Sequence, residues 1–372
     1  MSYSRSSGPF EAFIGPVERH HFNARLHFIA LLTAAATFPL IFLGGLVTSH
    51  GAGMSVPDWP NSWGYNMFTF PPSKWVGGIF FEHTHRLLGT VVGMLAIVLT
   101  AVAWKTDRRR WVRFTATGIL LAVIFQGVLG GLRVVLNQRD LAIVHGIAAQ
   151  ILFCYMATFC VMTSRFWTTP HDLSPEQTPA VARALAWAVA ASIVVFVQLL
   201  IGALMRHNDA GLAIPDFPLS FGRILPPLTI DDAFRRQAIH RFGTDLNLNR
   251  VTLFQIWIHF AHRIGAILAS VAVVCLSISI LRRLRNQVAL ARPAWILLAL
   301  IPVQVILGIL TVLLRKPADI ASLHVAVGSL VLMTCWITVI RSLALLRPVP
   351  RRRTARSAEP AEIEADLEYT PQ

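Results

Sequence analysis

Eight stretches of this chain are long and apolar enough to cross a bilayer, and that constrains its fold more than any other feature. A span needs about 20 mostly apolar residues to cross about 30 Å of hydrocarbon. Segments at about 27–49, 82–104, 112–136, 140–164, 182–205, 255–281, 293–315 and 320–346 qualify. Lipid offers no partner for a free N–H or C=O, so the spans should be helices. A membrane barrel would instead show alternating segments of about 10 residues. Of the 372 residues 55% are apolar and only 14% charged. A soluble domain carries roughly 25% charged residues. The predicted fold is an all-α membrane protein, with kinks expected at Pro39 and Pro302.

The net charge of +14 alone would suit a nucleic-acid binder. Its distribution excludes that, because the basic residues run in short clusters between spans, as in Lys105–Arg110, Arg282–Arg285 and Arg351–Arg353. Basic short loops face the cytoplasm. The expected topology is therefore multi-pass in the plasma membrane, with both termini cytoplasmic. The region 206–254 is also basic yet must lie outside; as a longer loop it weighs less in the rule. No cleavable signal peptide is evident, so the first apolar run is expected to be retained. The stretch from Arg347 on has no periodic apolar face and is expected to be disordered. Cys154, Cys160, Cys275 and Cys335 all lie inside apolar stretches and read as packing residues.

The chain repeats itself. Gly45-Leu46-Val47-Thr48-Ser49-His50 and then Ala52–Gly64 match Gly202-Ala203-Leu204-Met205-Arg206-His207 and then Ala210–Gly222, with Pro57-Asp58 over Pro215-Asp216. Gln126–Gly130 matches Gln304–Gly308. Four spans per copy put both copies in one orientation, as two parallel-repeat four-helix bundles. The expected domains are a cytoplasmic segment (1–26), an N-terminal bundle (27–164), a linker (165–181), a C-terminal bundle (182–346) and a tail (347–372).

The repeat carries four histidines. His85 in Glu82-His83-Thr84-His85-Arg86 aligns with His262, and His145 with His324. All four lie near the outer ends of even-numbered spans, so the members of each pair share a depth. Two facing imidazoles in a bundle can supply both axial ligands of a haem iron. The bland reading is a histidine satisfied by a neighbouring helix; zinc fits poorly, since it wants more ligands close together. Arg86 and Arg263 follow two of the histidines, placed either to snorkel to the interface or to pair with propionates. Trp59, Trp63 and Trp75 read as an interfacial aromatic belt. Glu82 breaks the repeat, since His259 stands in its place. It sits on the helix face of His85, where it can move protons or stabilise positive charge, or simply favour a helix N-terminus.

Together, Gly44–Thr48, Pro57-Asp58-Trp59-Pro60, the Glu82–Arg86 element and the histidine pairs resemble the haem A synthase family, over about residues 25–345. The resemblance implies an eight-helix membrane oxidoreductase that converts the C8 methyl of haem O to a formyl, giving haem A for cytochrome c oxidase assembly. It implies a haem b cofactor on His262 and His324, with Arg263 beside it. Substrate haem would sit on His85 and His145 with Arg86, and Glu82 would be the catalytic carboxylate. Implied partners are haem O synthase, oxidase assembly factors and the lipid bilayer; a homo-oligomer is compatible, and nucleic acid is not expected. Some members carry a cysteine pair in the first outer loop; residues 50–81 here contain none, so this chain falls in the branch without it. A dihaem b-type electron-transfer cytochrome and a parallel-repeat transporter are the competing classes. Glu82 in one half only disfavours the first, and spans poor in mid-membrane polar residues disfavour the second.

Overall fold

A computed structural model describes residues 22–138, 140–244 and 248–348. Most of the expected N-terminal segment and nearly all of the expected tail lie outside these residues. Eight long helices form: α1 (Ala24–Ser49), α2 (Gly77–Thr106), α3 (Arg110–Val135), α4 (Asp140–Thr163), α5 (Gln177–His207), α6 (Leu253–Arg283), α7 (Val288–Leu313) and α8 (Ala318–Leu345). Each is long and apolar enough to cross a membrane. No β-strand forms among the described residues. Local chemistry sets several starts. Asn23 Oδ1 accepts the Leu26 N–H ahead of α1, and Thr252 with Gln255 forms a capping box ahead of α6. Pro39 lies within α1, and Pro293 and Pro302 within α7.

Helix α2 begins more than a turn earlier than hydropathy suggests, at Gly77 rather than Glu82. Ile79-Phe80-Phe81 extend the apolar run, and Gly78 lets the new turn pack beneath the first long loop, against Ala52 and Ser55. Glu82 therefore lies beyond the first turn of α2, where a helix macrodipole has little hold on it.

Helix α1 packs on α2 and α4, and α3 closes that ring; α5 packs on α6 and α8, and α7 closes the second. The rings meet where α8 lies against α1 and α4. In α8 61% of the most apolar window is buried, against 17–33% in the other spans, which makes it the central helix. Small residues bring it close to α1: Gly45 faces Ser322, and Ser49 Oγ is 3.0 Å from Ser322 Oγ. Arg206 of α5 fastens the seam, donating to Gly45 O and Ser49 Oγ at 2.6 Å each.

The packed cores sit at the end away from the two long loops. Leu26, Leu99, Ile119 and Phe159 anchor the first, and Leu276, Ile280, Leu297 and Cys335 the second. All four cysteines are free. Toward the loop end both cores stop, and the four repeated histidines project there, half-buried. The insertion in the second loop forms a short helix, Asp232–Phe242, whose Phe234, Ala238 and Phe242 cover Phe221, Leu248 and Val251.

Candidate functional site

Each repeated histidine lies against a glycine of a neighbouring helix. A methyl added to Gly44, Gly130, Gly202 or Gly308 would sit 3.1, 3.2, 2.9 or 3.0 Å from Cε1 of His85, His145, His262 or His324, respectively. The bare backbone lets each ring stand between helices where a side chain would displace it. This corrects the sequence match of Gly45 with Gly202. Gly44 and Gly202 are the equivalent pair, His50 and Asn208 both cap their helices, and the gap drawn after His50 disappears.

The ring centres of His262 and His324 are 6.4 Å apart. Two imidazoles on opposite sides of one metal, with metal–nitrogen bonds of about 2 Å, place their ring centres roughly 6 Å apart. The residues therefore fit an iron held from both sides, as in a haem. Among the described residues no three His, Cys, Asp or Glu side chains converge as a zinc cage would need.

The two pairs are held differently. In the second ring Gln198 Nε2 donates to His262 O at 2.8 Å and stands 3.0 Å from His262 Nδ1. His324 Nδ1 bonds Gln304 O at 3.1 Å. In the first ring His85 faces Leu40 O and His145 faces Gln126 O without closing a well-formed hydrogen bond, and Gln126 Nε2 donates to His145 O at 3.3 Å. The position equivalent to Gln198 is Leu40, by the register of the glycines.

The long loops are clamped to α2 and α6 by matching bonds. The Val56 N–H donates to Glu82 Oε2 at 2.9 Å, and the Ile214 N–H donates to His259 Nδ1 at 3.3 Å. Arg86 donates to Val56 O, Asp58 O and Asn61 O at 2.7–3.0 Å and pairs with Glu82 Oε1 at 2.8 Å. Arg263 donates to Ile214 O, Asp216 O and Leu219 O at 2.7–3.1 Å. Within the loops Asp58 takes the N–H groups of Trp63 and Gly64, as Asp216 takes those of Phe221 and Gly222. Both central residues of each turn have positive φ, which glycine relieves at Gly64 and Gly222. Neither arginine snorkels, and most of each fork is occupied by loop carbonyls. Glu82 is 4% exposed, with both oxygens bonded.

The tryptophans also tie the loop down. Trp59 covers Gly131, where a Cβ would overlap its ring, and Trp63 Nε1 donates to Ser55 O at 3.1 Å. Trp75 packs on the buried ring of His83, whose Nδ1 lies 3.2 Å from Ser62 Oγ. Sequence reasoning missed Gln198 and Arg133. Both were detectable as polar residues opposite apolar or neutral ones, Leu40 and Thr311.

The expected family holds on comparison. Residues 73–336 match the family model described as cytochrome oxidase assembly protein, COX15-CtaA. The chain is similar to the protein named heme A synthase of Shouchella clausii, 28% identical over 257 residues, which cover 68% of this chain and 81% of that one. It is 26% identical to the heme A synthase of Allorhizobium ampelinum, covering 94% of this chain and 99% of that protein. For the heme A synthase of Geobacillus kaustophilus identity is 24%, with 91% and 96% covered. With two histidine pairs under matching loops and a family match over most of its length, the chain belongs to the COX15-CtaA family of cytochrome oxidase assembly proteins.

Proposed function

We propose that this protein is a haem A synthase, oxidising the C8 methyl of haem O to a formyl group. The observation that carries this reading is a repeated histidine site with a carboxylate in one copy only, in a chain whose relatives bear that name. The two rings act as parallel repeats, 27–164 and 182–346, in the plasma membrane with both termini cytoplasmic. His262 and His324 hold haem b, and their fixed rings suit a resident group. His85 and His145 hold the substrate haem, and their less closely bonded rings suit one that must enter and leave.

Haem b in the second ring supplies one-electron redox chemistry. The protein supplies position and charge. Arg263 and Arg86 hold the loops over the two sites. Arg86 and the Val56 N–H fix the Glu82 carboxylate, so its negative charge is in place before positive charge develops on the reacting carbon. In balance, the methyl and one water become the formyl with loss of four electrons to a one-electron acceptor outside the chain and of four protons, for which Glu82 is the acceptor on the helix face of His85. Haem O synthase as donor and oxidase assembly factors as recipients follow from this role.

The test is to purify the protein from cells that also make haem O, extract its pigments and separate the haems. Haem b together with haem O or haem A is the expected result. Haem b alone overturns the proposal and leaves an electron-transfer cytochrome.

A further inference from the structure

We propose that Arg133 receives the carboxylates of the substrate haem; the inference rests on the first ring being the substrate site. Helix α3 carries Gly130 against the ring of His145. Arg133 follows three residues later, about 4.5 Å nearer the loop end on the same helix face. Its guanidinium bonds Gly53 O of the first long loop, which puts it at the mouth of the first ring.

Among the described residues the Arg133 side chain makes one hydrogen bond, Nη2 to Gly53 O at 3.1 Å, and no ion pair. The contact is built in, since a Cβ on Gly53 would collide with the guanidinium. Glu82 is already paired with Arg86. Arg86 itself is spent on loop carbonyls, so the propionate role expected of it from sequence passes to the neighbouring cation with donors to spare. A planar fork at the rim suits a carboxylate.

The second ring has no cation at this place; the charge beside His324 is Arg206 of α5, tied to Gly45 O and Ser49 Oγ. Thr311 occupies the equivalent place, and its hydroxyl bonds Leu307 O within its own helix. Gly211, the counterpart of Gly53, faces only the aliphatic stem of exposed Lys316. Among the described arginines beside the repeated histidines, Arg133 is the one held by a single carbonyl, whereas Arg206, Arg86 and Arg263 each make two or more bonds.

The experiment titrates the purified protein, with haem b in place, with ferric haem O and separately with its dimethyl ester, followed by difference spectra. The wild type should bind the free acid roughly tenfold or more tightly than the ester, the worth of a hydrogen bond to a charged group. Arg133→Leu should bind the two alike, and Arg133→Lys should keep part of the preference. Where Arg133→Leu fails to retain haem b, Arg133→Gln, which keeps a donor for Gly53 O, takes its place. An undiminished preference for the free acid in the neutral variant overturns the proposal. If neither form gives a spectral change that His85→Ala removes, the substrate-site reading falls, and this inference with it.

Discussion

Two loops of similar shape are held in the two halves by the same backbone bond and by opposite chemistry. Val56 donates its N–H to a carboxylate and Ile214 donates its N–H to an imidazole. The second half shows that a neutral acceptor is enough to hold such a loop. The proposed reading gives the acid at Glu82 a purpose beyond holding it. The first half also has Leu40 where the second has Gln198, and Arg133 where the second has Thr311. The second ring bonds its histidines more closely; the first sets them between a carboxylate, Glu82, and a cation, Arg133, where the second has His259 and Thr311. That is the difference expected between a site that keeps its haem and one that exchanges it.

Breaking the fixed site should have the largest effect. His262→Ala should lose essentially all haem b, read from the absorption spectrum of the purified protein, whereas His85→Ala should keep it. Equal loss in both would remove the distinction between the rings. Next comes Glu82→Gln, whose amide oxygen still accepts the Val56 N–H. Haem b should stay, and haem A formation should fall about 10²- to 10⁴-fold, the usual worth of a positioned acid–base group. Full activity there would make Glu82 a loop anchor like His259.

The clamp itself differs in strength. Arg86→Ala strands the buried Glu82 carboxylate and should cost about 3–5 kcal/mol. Arg263→Ala strands only carbonyls and should cost about 1–3 kcal/mol. Thermal unfolding in detergent compares them. Adding Glu82→Gln to Arg86→Ala should recover part of the larger loss, and no recovery would show that the ion pair contributes little.

The spans, the four histidines and the odd carboxylate were all legible in the sequence, because each is a residue type standing where lipid or a repeat makes it conspicuous. The clamp was not. Arg86 reaches carbonyls of Val56, Asp58 and Asn61 through a loop whose path no periodicity encodes. The contact of Trp59 with Gly131 was hidden for the same reason, since the two are distant in sequence. Gln198 is matched with an apolar residue of α1 in either register, Ile41 or Leu40; its partner His262, 64 residues on, is what no periodicity encodes.

The smallest effect should come from that glutamine, and it tests the comparison most finely. Gln198 Nε2 donates to His262 O and so fixes the turn of α6 that carries the ring; with iron on Nε2, the Nδ1–H finds an acceptor in the amide only if Gln198 turns its C=O inward and gives up that bond. Groups that orient a metal ligand are worth 10- to 100-fold in affinity, and a single amide on one of two ligands should fall near the lower figure, roughly tenfold. Gln198→Leu, which copies the first ring, should speed transfer of haem b to apomyoglobin by about that factor. It should also alter the low-spin electron paramagnetic resonance signal, since the freed ring can rotate about its iron bond. The converse change, Leu40→Gln, should slow release of haem from the first ring. If Gln198→Leu leaves both release rate and signal unchanged, ring anchoring does not separate the two sites, and the distinction rests on Glu82 and Arg133 alone.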